Sequence, residues 1–210
     1  MTDVAEISTL RRKLGATRPA SEPEGTSPAG LLRKAVAKAG EDLHGLVAAV
    51  TGFGESRAGL GDIMEGLPEP ALLMSLVSRD GRRGLAVADV QLVTALVEHL
   101  TTGRIVQGEV ASRRPTRTDA VMVSDFLDRF LAEFDEGLAG LAAASPVSGF
   151  RYGALFAEPR MAQMSLAEVS YGVYRLRIDL GRGARTGEIT LAFPASRAPE
   201  PVAGAGSAAE

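Results

Sequence analysis

The chain has 210 residues, enough for one good hydrophobic core, and its 45% hydrophobic and 23% charged residues are the balance of an ordinary soluble globular domain. A net charge of −3, with basic residues dispersed apart from Arg11-Arg12-Lys13, gives no long-range attraction to polyanionic nucleic acid. The absence of cysteine excludes disulfides, thiolate catalysis and cysteine-ligated zinc. The longest uncharged run, Gly137 to Phe150, is 14 residues against the about 20 that a membrane helix needs, so no membrane insertion is expected.

The opening residues carry Asp3, Glu6 and Arg11 with no continuous apolar stretch, so a secretory signal is not expected and a cytoplasmic location is. Residues 1–26 run from DVAEISTLRRKLG into a Pro/Ser/Glu-rich stretch without apolar periodicity. Ile7, Leu10 and Leu14 can share one helical face, but so short a helix is marginal alone in water. The composition predicts a flexible, solvated segment; the alternative is a short helix that orders on a partner. Ser27-Pro28 reads as a helix start, serine as N-cap and proline in the first turn. Leu32, Val36, Ala39, Leu43 and Leu46 then recur at helical spacing, predicting a helix to about Val47. A strand is expected over Ala48 to Ser56, followed by a Gly/Pro-punctuated connection, Gly59 to Pro70, lying as a loose ribbon at the sheet edge.

ALLMSLVS (Ala71 to Ser78), the turn Arg79-Asp80-Gly81 and LAVA (Leu85 to Ala88) predict a hairpin, Asp-Gly supplying the positive φ of a tight turn. Its arms are apolar at nearly every position. Strands apolar on both sides must be covered on both sides, which predicts a three-layer α/β/α domain. Asp89 is the expected cap of a helix in which Leu92, Leu96 and Leu100 share a face with Val93, and Gly103 stands where a left-handed terminal residue belongs. Arg104 to Pro115 reads as a polar connection.

Thr118 is the expected start of the longest helix, to about Leu141, with Met122, Phe126, Phe130, Phe134, Leu138 and Leu141 as its apolar stripe. Asp125, Asp128, Glu133, Asp135 and Glu136 populate the rest of its surface. A strand is expected over Gly149 to Phe156, and an irregular connection over Glu158 to Glu168. In YGVYRLRIDLGRGARTGEITLAFP (Tyr171 to Pro194), Leu176, Ile178 and Leu180 alternate with Arg175, Arg177 and Asp179, and Ile189, Leu191 and Phe193 alternate with Glu188, Thr190 and Ala192. Period two on both arms predicts a second hairpin with one buried and one polar face. Residues 195–210, rich in Ala, Pro and Gly, read as a flexible tail.

Each half therefore runs helix, strand, connection, hairpin, with the Asp89 helix bridging two copies. One pseudo-symmetric domain built from two helix–strand–hairpin repeats is expected over residues 28–194.

No assembled active site is legible. His44 and His99 both fall in predicted helices and have no cysteine to join them, so they read as ordinary helix histidines and not as zinc ligands. Gly181-x-Gly183-x-x-x-Gly187 precedes a strand and cannot be a phosphate loop, and Gly52-x-Gly54 lacks a third glycine. Glu133, Asp135 and Glu136 could form a catalytic patch; helical acids are more often a solvated or partner-facing surface, and that reading is preferred. Asp125 and Arg129 are spaced to pair locally.

The repeat, with the runs RGLAVADVQLVTALVEHLTTG, TDAVMVSDFLDRFLAEF and YRLRIDLGRGARTGEITLAFP, resembles the middle domain of the flagellar motor switch proteins of the FliM family, which is similar to CheC-type chemotaxis phosphatases. The resemblance covers residues 28–194 and implies a CheC-like fold and a structural, non-enzymatic component of the switch ring without cofactors. It implies as partners a FliG-like motor protein and neighbouring copies of the chain. The family's Gly-Gly-x-Gly loop toward FliG falls at Thr102-Gly103-Arg104-Ile105, where only Gly103 matches. The family's N-terminal segment that captures phosphorylated CheY is echoed by Glu6, Ile7 and Leu10, without its Asp and with basic residues following. The C-terminal domain by which FliM joins FliN has no counterpart in residues 195–210, so FliN binding is not expected.

Two other readings share the fold. A CheC-like phosphatase of a phosphorylated response regulator needs a Glu and an Asn one helical turn apart, the amide orienting the attacking water. This sequence has no asparagine, and its glutamines, Gln91, Gln107 and Gln163, lie off the long helix. A subunit of a type III secretion sorting platform would share the structural logic of the switch component.

Overall fold

The computed structural model describes residues 27–139 and 147–195. The first helix, α1 (Pro28–Asp42), starts as expected: the Ser27 hydroxyl accepts the Gly30 amide at 3.2 Å, with Pro28 in the first turn. It ends five residues before Val47, however. Leu43 closes it, and His44 (φ 53°) and Gly45 (φ 73°) turn the chain back in the left-handed region, so His44 lies outside the helix. Close approach accounts for the early stop. A Cβ on Gly40 would stand 2.5 Å from the Leu46 carbonyl oxygen, so the returning chain fits over this glycine.

Strand β1 (Ala48–Ala58) follows, then α2 (Leu60–Glu65), where a loose edge ribbon was expected. Leu60, Ile63 and Met64 occupy one helical face and are buried, and the Asp62 carboxylate accepts the Gly59 amide at 3.3 Å. The hairpin β2 (Ala71–Ser78) and β3 (Arg83–Asp89) leads into α3 (Val90–Thr102), and a connection without helix or strand leads to α4 (Arg117–Ala139). The start of α4 is Thr116 and not Thr118: the Thr116 amide donates to Asp119 (2.6 Å), and the Asp119 amide donates to the Thr116 hydroxyl (3.2 Å). Of the expected stripe, Phe126, Phe130, Phe134 and Leu138 are buried, Met122 is half-buried with Val123 and Leu127 inside instead, and Leu141 lies outside the described residues. Strand β4 (Phe150–Phe156), helix α5 (Pro159–Ser165) and the hairpin β5 (Tyr171–Leu180) and β6 (Arg185–Pro194) complete the order. As in the first half, the expected irregular connection carries a short helix.

Among the described residues the strands form one six-stranded sheet, ordered β1-β5-β6-β3-β2-β4, with every neighbour antiparallel. The repeats meet at β3 and β6, which pair from Leu85↔Ala192 to Ala88↔Ile189. Each lone strand crosses to the other repeat: β1 pairs with β5, and β4 with β2. Helices α1, α3 and α4 cover one face over a core of Leu32, Val36, Leu92, Leu96, Phe126 and Phe130. The short helices α2 and α5 cover the other face, over Leu85 and Val87 of β3 and over Tyr171 and Val173 at the base of the second hairpin. The architecture is three-layered α/β/α, with an unequal third layer. The second hairpin consequently differs from expectation. Arg175, Arg177 and Glu188 keep a polar face at its distal half, but Val173, Tyr174, Ala192 and Phe193 are buried on both faces at its base.

Candidate functional site

The loop singled out in sequence grows from the end of α3. Asp89 caps that helix by accepting the Leu92 amide at 2.7 Å, and burial pushes the Asp89 carboxyl up despite that bond. Leu92, Val93, Leu96 and His99 face the core, leaving Gln91 and Glu98 on a separate face, two turns apart. The buried His99 is satisfied by the Leu43 carbonyl, 3.0 Å from Nε2, and therefore reads as a core histidine. Gly103 ends the helix in the left-handed region (φ 73°), its amide donating to the His99 carbonyl at 2.8 Å. Thr102 folds its hydroxyl back onto the carbonyls of Glu98 (2.8 Å) and Arg104 (3.0 Å).

Beyond Gly103 the chain is anchored at several points. Arg185, only 4% exposed, donates from Nε to the Gly108 carbonyl (3.0 Å) and from Nη2 to the Val106 carbonyl (2.7 Å), and its Nη1 lies 3.2 Å from Glu98 Oε1. Glu98 Oε2 accepts the Val106 amide at 2.9 Å, and Gly108 donates to the Ala184 carbonyl at 3.1 Å. Gln91 grips Val110 twice, accepting its amide and donating to its carbonyl, both at 3.0 Å. Ile105 packs against Gly181 in the β5–β6 turn. Thr102, Gly103 and Arg104 are therefore exposed, Ile105 faces inward, and Val106 is the exposed apolar tip at 62%. Thr102 closes α3, and Gly103, Arg104 and Ile105 continue from it as a loop laid against the β5–β6 turn. Glu6, Ile7 and Leu10 lie outside the described residues.

Sequence reasoning missed Arg185, Glu98 and Gln91. For Arg185 a signal existed: it heads the inward-facing series continued by Gly187, Ile189, Leu191 and Phe193, so its period-two position is a core position. The acids of α4 were read as a solvated or partner-facing surface, and two of them are structural. Asp128 accepts the Tyr152 amide (2.7 Å), while Asp135 accepts the Gly149 amide (2.8 Å) and pairs with Arg151 (2.6 Å). Asp125 and Arg129 do pair, at 3.1 Å. Among the described residues no group of His, Asp or Glu is placed to hold a metal ion, and no helix is long and apolar enough to cross a membrane. A groove of about 240 Å³ between the end of β1 and the base of the second hairpin is lined by Glu55, Arg57, Tyr174 and Phe193. Burial raises the Tyr174 phenol there, and the Glu55 carboxylate adds to the rise.

No family model matches this sequence, and no curated protein matches it. Solved structures do. The FliM middle domain of Vibrio alginolyticus superposes with a TM-score of 0.59 at 18% identity, covering 82% of this chain and 94% of that one. A chain of the FliG–FliM complex from H. pylori reaches 0.63 at 11% identity, covering 81% and 91%. Thermotoga maritima FliY reaches 0.56 at 13%, covering 83% and 91%. At these identities it is the fold that is shared: the described chain has the architecture of a FliM middle domain.

Proposed function

We propose that this protein is a structural subunit of the bacterial flagellar motor switch, binding a FliG-like motor protein through the loop at Thr102–Ile105 and neighbouring copies of itself through its helical face. The observation that carries the reading is the FliM middle-domain architecture, matched over most of both chains, with one such match taken from a complex with FliG. The loop supports it independently, because a preformed, exposed loop on a rigid scaffold is how binding residues are commonly presented.

Charge on the helical layer supports contact between copies. On α1, Arg33 and Lys34 are exposed beside Lys38, which pairs within the chain with Asp42 (3.2 Å) and Glu133 (3.6 Å); on α4, Asp125 pairs with Arg129 and Glu136 is exposed. Arg33 and Lys34 of one copy can meet Glu136 of the next, a head-to-tail contact of the kind that generates rings. The protein acts by being held and not by catalysis. Neither α1 nor α4 carries an amide side chain to orient a water, and the α4 acids Asp128 and Asp135 are committed to β4. Such a subunit would sit at the cytoplasmic side of the flagellar basal body. Residues Glu6, Ile7 and Leu10 would be its contact with phosphorylated CheY.

A binding assay of the full chain against purified FliG, with a pull-down from flagellated cells, tests the assignment. Association with FliG, weakened by Arg104→Glu, is expected. No association with FliG or with itself would overturn it, and accelerated loss of phosphate from CheY would favour the phosphatase.

A further inference from the structure

We propose that the pair formed by buried Arg185 and half-buried Glu98 is a latch that presets the loop from Gly103 to Gly108 for its partner, and serves that task more than the stability of the fold. The inference rests on the reading of this loop as partner-binding. Arg185 occupies an inward position of β6 where an apolar side chain would serve the core. Removing a guanidinium from water is costly, and replacing buried ion pairs with apolar residues is often neutral or stabilising. Stability of the fold alone therefore gives little reason for arginine here.

Its contacts supply the reason. Nε and Nη2 hold the carbonyls of Gly108 and Val106, and Nη1 faces Glu98, whose other oxygen holds the Val106 amide. Val106 is 62% exposed, yet both its backbone polar groups are held by this one pair. The loop has no ladder of its own, so the two side chains stand in for one. A partner that recognises one loop conformation binds more weakly in proportion to the fraction of chains that adopt it. With the latch in place the ordering cost is met in folding and not charged to the complex.

Two variants of the full chain test this: Arg185→Met, and Arg185→Met with Glu98→Leu, which leaves neither charge behind nor an acceptor for the Val106 amide. Amide hydrogen exchange at Val106, whose amide the pair holds directly, is expected to accelerate by about tenfold or more, with exchange at Ile189 and Leu191 unchanged in the double variant and affinity for FliG reduced by about tenfold. Unchanged protection at Val106, or equal loss at Ile189 and Leu191, overturns the latch. A loosened loop with undiminished FliG affinity overturns the claim that presetting governs binding. If the unmodified chain fails to bind FliG, the proposed function fails, while the exchange measurements still decide whether the latch exists.

Discussion

Asp119 shows how much one side chain can settle at a helix start. It accepts both terminal nitrogens of Arg113 (2.8 and 2.9 Å) and both the amide and the hydroxyl of Thr116 (2.6 and 2.9 Å). Hydrogen bonding from Arg113, with Thr116 adding to it against the opposing effect of burial, holds its carboxyl at about 2, below the ordinary 3.8. Because the folded value is depressed, the stabilisation is fully present above pH 3.8 and is lost as pH falls through about 2. Thermal unfolding between pH 5 and pH 2 should lose on the order of 1–2 kcal/mol through this group, a loss missing from Asp119→Ala. Gly187 is decisive in another way. A Cβ there would stand 2.5 Å from the Leu92 amide nitrogen, so α3 seats on β6 only over a glycine. Gly187→Ala should cost about 1–3 kcal/mol in chemical denaturation, since helix or strand must shift. The sequence showed Gly187 only as the last glycine of the Gly181-x-Gly183-x-x-x-Gly187 run, because the element that approaches it lies far away in the chain.

At the scale of elements, the long helix is a staple as well as a core wall. Its apolar stripe was legible, since Phe126, Phe130 and Phe134 recur at helical spacing and all three are buried. The destination of its acids was not, because periodicity separates inside from outside but does not name a cross-chain partner. Asp128 and Asp135 reach β4, an edge strand that pairs with β2 alone among the described strands. Charge-assisted bonds of this kind are worth about 1.5–3 kcal/mol each. Asp128→Ala with Asp135→Ala should therefore destabilise the chain by about 3 kcal/mol, and exchange at the Tyr152 and Gly149 amides should rise before that of Ile189 in β6. The short helices α2 and α5 were missed for a related reason. Gly59, Gly66, Pro68 and Pro70 surround α2, and six residues are too few for periodicity to outweigh such punctuation. They exist because the sheet face beneath them is apolar, which is a tertiary cause.

At the scale of the molecule, the repeats are interlocked. Each hairpin takes its outer strand from the other copy, with β1 on β5 and β4 on β2. Neither half should fold alone: a fragment ending in the connection after α3 should show no cooperative unfolding, and mixing it with the remaining fragment should restore a transition. Cooperative unfolding of one isolated half would contradict the interlocked sheet. Such a sheet makes a rigid body on which the loop from Gly103 to Gly108 and the charged faces of α1 and α4 are held in fixed relation. The sequence by itself determined the order and type of the long elements, the two hairpins and the need for cover on both sheet faces, because apolar spacing and turn residues act within a few residues of one another. Only the tertiary structure decided that the lone strands change places, that Arg185 enters the core to hold a loop, and that glycine separates α3 from β6. Those outcomes depend on groups distant in the chain meeting at contact range, and local spacing carries no record of that.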